Sequence, residues 1–99
     1  MDAELKAKWV AALRSGQYTQ GKDVLHSPLD GSYCCLGVLH HIATGDVPGR
    51  YWSDDCERPK QMEFLDVRAG TKELSSVLTS MNDEGQPFPE IADWIEAHL

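Results

Sequence analysis

Gly31-Ser-Tyr-Cys-Cys-Leu-Gly-Val-Leu-His-His-Ile-Ala-Thr-Gly45 sets two adjacent thiols at the head of a helical pattern and two adjacent imidazoles near its tail. Cys35, Leu36, Leu39, Ile42 and Ala43 recur at helical spacing, so residues 34–44 read as a helix that buries one thiol and stops at Gly45. Cys34, Val38 and His41 fall on the neighbouring face. A helix must bury its apolar face, which makes Cys35 a core residue, leaves Cys34 as the more exposed thiol, and puts the histidines at the surface.

The flanks add three more helices. Residues 2–15 carry Asp2 as N-cap, Glu4 in the first turn, a Leu5, Trp9, Leu13 stripe and Gly16 as terminator. Thr71 is placed to cap a third helix with Leu74, Val77, Leu78 and Met81 on one face, ended by Asn82-Asp83-Glu84-Gly85. Pro89 opens a fourth, with Ile91, Trp94, Ile95 and Leu99 as its apolar side, pairing antiparallel with the third. Between the first two helices, residues 16–32 read as a loop and a short β-hairpin turning at Asp30-Gly31. Residues 46–70 read as a long irregular connection with a strand at 62–67. The expected architecture is α+β, mostly α: four helices with a short β-hairpin in a single compact domain over residues 1–99.

Composition bounds the function. The chain is 41% apolar and 25% charged, ordinary globular usage that predicts independent folding. No apolar run approaches the roughly 20 residues a bilayer demands, and Met1-Asp2-Ala3-Glu4 begins no secretory pattern, so a cytoplasmic protein is expected. Three cysteines cannot all pair within one chain, and a bond between neighbours is strained, which favours the reduced state. The net charge of -7 is uneven: Glu73, Asp83, Glu84, Glu90, Asp93 and Glu96 follow Lys72 with no Lys or Arg after it. Nucleic-acid affinity rests on lysine and arginine at phosphates, so this balance opposes DNA or RNA binding and suits a partner with a basic surface. Gly85-Gln-Pro-Phe-Pro-Glu-Ile-Ala-Asp-Trp-Ile has the opening of a helix-turn-helix unit, but the segment is acidic and no recognition helix follows it in the sequence.

Two chemistries merit weighing against plain core packing. A thiol at a helix N-terminus sits near positive partial charge, as a cysteine-dependent hydrolase or transferase requires. His40 and His41 lie one to two turns along the same helix and cannot reach back, so only His26 or His98 could supply the base. Zinc is the other option, because Cys34, Cys35, His40, His41 and Cys56 are competent ligands. Adjacent ligands on a helix point about 100° apart, and only Cys34 and His41 share a face, so the spacing is wrong. Neither an enzyme nor a resident metal or cofactor is expected.

Trp9-Val-Ala-Ala-Leu-Arg-Ser-Gly-Gln-Tyr-Thr-Gln-Gly21, then Asp30-Gly-Ser-Tyr-Cys-Cys-Leu-Gly-Val-Leu39, resembles small, largely uncharacterised proteins of tailed phages and prophages. Asn82-Asp-Glu-Gly-Gln-Pro-Phe-Pro-Glu-Ile-Ala-Asp-Trp-Ile-Glu96 is similar to their ends, so the likeness covers roughly half of the chain. Where many of them place Cys-Asp after Val-Leu, this chain has His40-His41, which weakens any shared metal site. The resemblance implies a viral accessory protein in the host cytoplasm that occupies a host surface, such as the nucleic-acid-binding face of a CRISPR-type defence nuclease, without touching nucleic acid or membrane. On that reading Tyr51, Trp52, Asp54, Asp55, Glu90, Asp93 and Glu96 are the partner-binding residues, aromatics anchoring and carboxylates steering. A homodimer is compatible with it. The competing functions are the cysteine enzyme and a dimeric sponge for a nucleotide signal.

Overall fold

The computed structural model describes residues 1–99, the side chain of Ala69 excepted. Its order is α1 (Ala3–Ser15), α2 (Cys35–Thr44), a 3-10 helix (Lys60–Asp66), β1 (Arg68–Ala69), β2 (Lys72–Glu73), α3 (Leu74–Asp83) and α4 (Phe88–His98). The domain is single and mostly helical. Its radius of gyration is 12.3 Å, against roughly 13 Å for a compact chain of about 100 residues.

α1 follows its expected boundaries. Asp2 Oδ2 accepts from Leu5 N at 2.8 Å, and Gly16 leaves the helix at φ 76°, a left-handed backbone that glycine adopts without strain. Trp9, Val10 and Leu13 are buried. α2 is the central helix and presents Cys35, Leu36, Val38 and Leu39 to the core. Gly37 lets it pass close to the backbone of Leu25, because a Cβ there would collide with the Leu25 carbonyl. α3 buries Leu74, Leu78 and Met81, and α4 buries Phe88, Ile91, Ala92 and Ile95. α4 packs chiefly against α1 and only lightly against α3, so the expected antiparallel pairing of the last two helices is not its main contact.

Three expectations need correction. The chain does reverse near Asp30-Gly31, with Gly31 N donating to Ser27 O and Ser27 N to Ser32 O, both at 2.9 Å. No hairpin extends from it. Tyr33 gives its N–H to Thr19 O and takes Gly21 N on its carbonyl, so pairing stays at isolated bridges from Tyr33 to Gln20 and His26 before α2 begins. Residues 62–67 are not a strand either: Met62 and Leu65 are the buried residues, three apart, which is the period of the 3-10 helix they occupy. The hairpin lies later, pairing Arg68 with Glu73 and Ala69 with Lys72, with Gly70 at φ 72° in its turn. Thr71 therefore sits in that turn, and α3 starts at Leu74 with Glu73 at the N-cap position.

Candidate functional site

Both thiols at the head of α2 are buried. Cys35 is fully enclosed, with Sγ 3.6 Å from Leu78 O, its carbonyl accepting Trp9 Nε1 at 3.0 Å and its amide donating to Asn82 Oδ1 at 3.2 Å. Burial pushes its thiol well above the ordinary range, with the neighbouring Cys34 adding to the effect. Cys34 is the N-cap of α2, its Sγ taking Gly37 N at 3.4 Å, and burial raises its thiol too despite the helix terminus. Cys34 is more exposed than Cys35, as expected, but at 7% against 0% it is itself a core residue. Desolvation outweighs the helix dipole at both sulfurs, so neither is poised as a thiolate.

The two imidazoles part company. His40 is 5% exposed, not the surface residue expected, and its Nδ1 accepts from Trp52 Nε1 at 3.0 Å. Indole N–H only donates, so His40 Nδ1 carries no hydrogen and the neutral ring holds its proton on Nε2. Burial lowers the His40 pKa, Asp46 partly opposes that, and His41 adds to it. His41 is half-buried with Nδ1 2.7 Å from Tyr18 Oη, inside a group of rings that includes Tyr33. Among the described residues no three His, Cys, Asp or Glu side chains gather as a metal would require.

The expected partner-binding residues divide into two sets. Tyr51 is 63% exposed, and Asp54 and Asp55 beside it are exposed without an ion pair among the described residues. Trp52 departs from expectation: its ring is half-buried against the core and tied to His40, so it supports the segment rather than offering a free anchor. Glu90 is exposed. Asp93 and Glu96 are clamped by Arg14 of α1, at 2.7 Å and 2.9 Å, and those bonds raise the Arg14 pKa. Tyr51 and Asp55 line one groove while Glu96 lines another beside α1, so the two sets do not form one site.

The groove at Tyr51 is open, about 860 Å³, and runs between the end of α2 and residues 46–61. Asp46, Asp55 and Glu57 offset Arg50, Arg58 and Lys60 along it. Arg58 is further held by a two-pronged bond to Asp66, at 2.8 and 2.7 Å. A second groove of about 410 Å³ on the other side of Tyr51 has Cys34 and Leu36 in its wall and hydroxyls of α3 such as Ser75 and Thr79 along its edge.

Two features escaped the sequence reading. Leu29 stands 87% exposed at the tip of the turn before Gly31, a position that Pro28-Leu29-Asp30-Gly31 could have signalled. The other is an amide pair, the buried Asn82 and the half-buried Gln20. Asn82 Oδ1 accepts from Cys35 N and Gln20 Nε2, and Asn82 Nδ2 donates to Gly21 O at 2.7 Å. Gln20 in turn donates to Gln86 O at 2.6 Å and accepts from Phe88 N at 3.1 Å. The pair joins the loop after α1, the head of α2, the tail of α3 and the entry to α4.

Residues 1–74 match the family described as Domain of unknown function (DUF8296). The chain belongs to that family. The matched stretch takes in α1, α2 and both buried thiols and ends at Leu74, the first residue of α3. No curated protein and no solved structure matches the chain. Within the family stretch, Gln20, Gly21, Cys35 and Gly37 all serve packing or backbone bonding, which gives those motif residues a structural reason of their own.

Proposed function

We propose that the protein is a small acidic binding protein, a phage accessory product that acts in the host cytoplasm by covering a basic or nucleic-acid-binding surface of a host protein, such as a defence nuclease complex of the CRISPR type. The observation that carries this reading is Tyr51, 63% exposed beside the unpaired carboxylates Asp54 and Asp55 on a segment braced from beneath by Trp52. A rigid aromatic ringed by charge is the usual makeup of an interface anchor, and carboxylates at its rim raise the rate of encounter with a basic partner. Burial raises both α2 thiols away from the thiolate form, which favours binding over cysteine chemistry. That no helix is long and apolar enough to cross a membrane is consistent with this setting.

The carboxylates assigned to steering narrow to Asp54, Asp55 and Glu90, because Asp93 and Glu96 already neutralise Arg14. The test is affinity capture from lysate of a phage host, repeated with Tyr51→Ala and with Asp54→Lys/Asp55→Lys. The expected outcome is a basic or nucleic-acid-binding protein whose retention falls with salt and falls at least tenfold in either variant. Retention that both variants leave unchanged would remove this surface from the proposal. The nucleotide-sponge alternative finds little support in either groove: in the second, Asp23 and Asp83 face a single cation, Arg50, and in the larger one Asp46, Asp55 and Glu57 offset Arg50, Arg58 and Lys60, of which Arg58 is already held by Asp66.

A further inference from the structure

We propose that the His40–Trp52 hydrogen bond is an acid-released latch, which holds residues 47–57 against α2 and lets go when His40 takes up a proton. The inference concerns the free protein and goes beyond its reading as a binding protein.

Two hydrogen bonds tie residues 47–57 to the rest of the chain among the described residues: Leu25 N to Arg50 O at 2.7 Å, and Trp52 Nε1 to His40 Nδ1 at 3.0 Å. The others made there, Gly49 N to Cys56 Sγ, Asp55 N to Ser53 Oγ and the mutual pair of Ser53 and Cys56, are internal to the segment. The first tie is backbone to backbone and does not titrate between neutral and mildly acid pH. The second depends on one protonation state. Neutral His40 accepts at Nδ1; the imidazolium carries hydrogen on both nitrogens, and indole nitrogen has no lone pair to offer in exchange. Protonation therefore sets two N–H groups against each other at hydrogen-bond distance, at a ring that is only 5% exposed. The rings cannot turn the clash into stacking in place, since they sit 6.4 Å apart between centroids and 31° from parallel.

The surroundings set the window. Burial favours neutral His40, Asp46 at the end of α2 favours the charged form, and His41 opposes it. Across the groove that His40 lines, Asp55 and Glu57 stand against Arg50, Arg58 and Lys60, so the far wall supplies no net anionic field to hold an imidazolium in place. Release thus belongs below the ordinary histidine range near 6.5. When the latch opens, Trp52 loses its polar anchor, and Tyr51 and Ser53 move with it, pivoting on the bond at Arg50.

Nitrogen-15 NMR of the intact protein from pH 7.5 to 4.5 tests this. At neutral pH the His40 ring should report the Nε2–H tautomer. The Trp52 indole resonance should move with the His40 titration, at a midpoint below 6.5, away from its hydrogen-bonded position. His40→Gln keeps an acceptor for the indole but has nothing to titrate, and should hold the Trp52 resonance steady across the range. Trp52→Phe assigns the signal, and His41→Gln should leave the transition in place. An Nδ1–H tautomer of His40, a Trp52 resonance that does not move, or a transition that survives in His40→Gln would each overturn the latch. The indole signals are read separately, because Trp94 stacks on His98 at 4.4 Å and has a titratable neighbour of its own.

Discussion

A buried asparagine destabilises a fold unless its amide is satisfied, and Asn82 is fully enclosed with both ends of its amide engaged, by Cys35 N, Gln20 Nε2 and Gly21 O. Removing it leaves the buried Cys35 N and the half-buried Gly21 O without their partner, while Gln20 Nε2 keeps its bond to Gln86 O. Asn82→Ala should lower unfolding free energy by about 3 kcal/mol, the cost of leaving buried donors and acceptors unmet, and urea denaturation would measure it. Asn82→Asp should be no remedy, since a carboxylate has no N–H to give Gly21 O. The thiol one contact away calls for a different expectation. Cys35→Ala should cost about 1 kcal/mol through a small cavity. In the folded protein the half-buried Cys56 should react first with a thiol reagent, with Cys35 reacting only as fast as the protein unfolds. Reaction of Cys35 at the rate of a free cysteine would mean that its burial is misassigned.

At the scale of elements, the helices were legible because each carries an apolar stripe with chemical punctuation at its ends: Asp2 and Gly16 for α1, Gly45 for α2, the proline pair for α4. Residues 62–67 were misread as a strand because Met62 and Leu65 give too few apolar positions to separate a period of three from a period of two. Bridges at Tyr33 stay isolated for a tertiary reason, the bonds of that one residue to Thr19 and Gly21, which no local pattern announces. The same holds for the site. Tyr51 and the loop carboxylates could be read as exposed, whereas the binding of Asp93 and Glu96 to Arg14 depends on the packing of α4 against α1. That seam makes its own prediction. Arg14→Ala should change stability little, because the pairs are exposed and screened by salt, yet it should free two carboxylates and speed encounter with a basic partner at low ionic strength. Stopped-flow association at two salt concentrations would show it.

For the whole molecule, acid sensitivity follows from the one buried imidazole. The His40 pKa is depressed in the folded state mainly by burial, so the unfolded chain binds the extra proton more readily. Stability is then fully present above the unfolded value near 6.5 and declines as pH falls from there through the folded value. Thermal melts from pH 7.5 to 5 should show a falling Tm, and His40→Gln should flatten that slope; an equal slope in the variant would assign it elsewhere. The Asp66 carboxyl works in the same direction only at lower pH, since its bond to Arg58 holds it below the usual range and is lost when it takes up a proton.

α1 leaves the ribosome well before its principal neighbour α4, so its apolar side is without its main cover while the roughly 70 residues between them are made. N-terminal segments of many proteins settle as they emerge, but here Trp9, Val10 and Leu13 gain only α2 and the 3-10 region before Phe88–His98 arrives. Contacts between such distant parts of a chain slow the search for the native state relative to a bundle of sequential neighbours. The nascent protein thus offers a sticky helix to chaperones until α4 emerges, and a translation pause before α4 would lengthen that exposure.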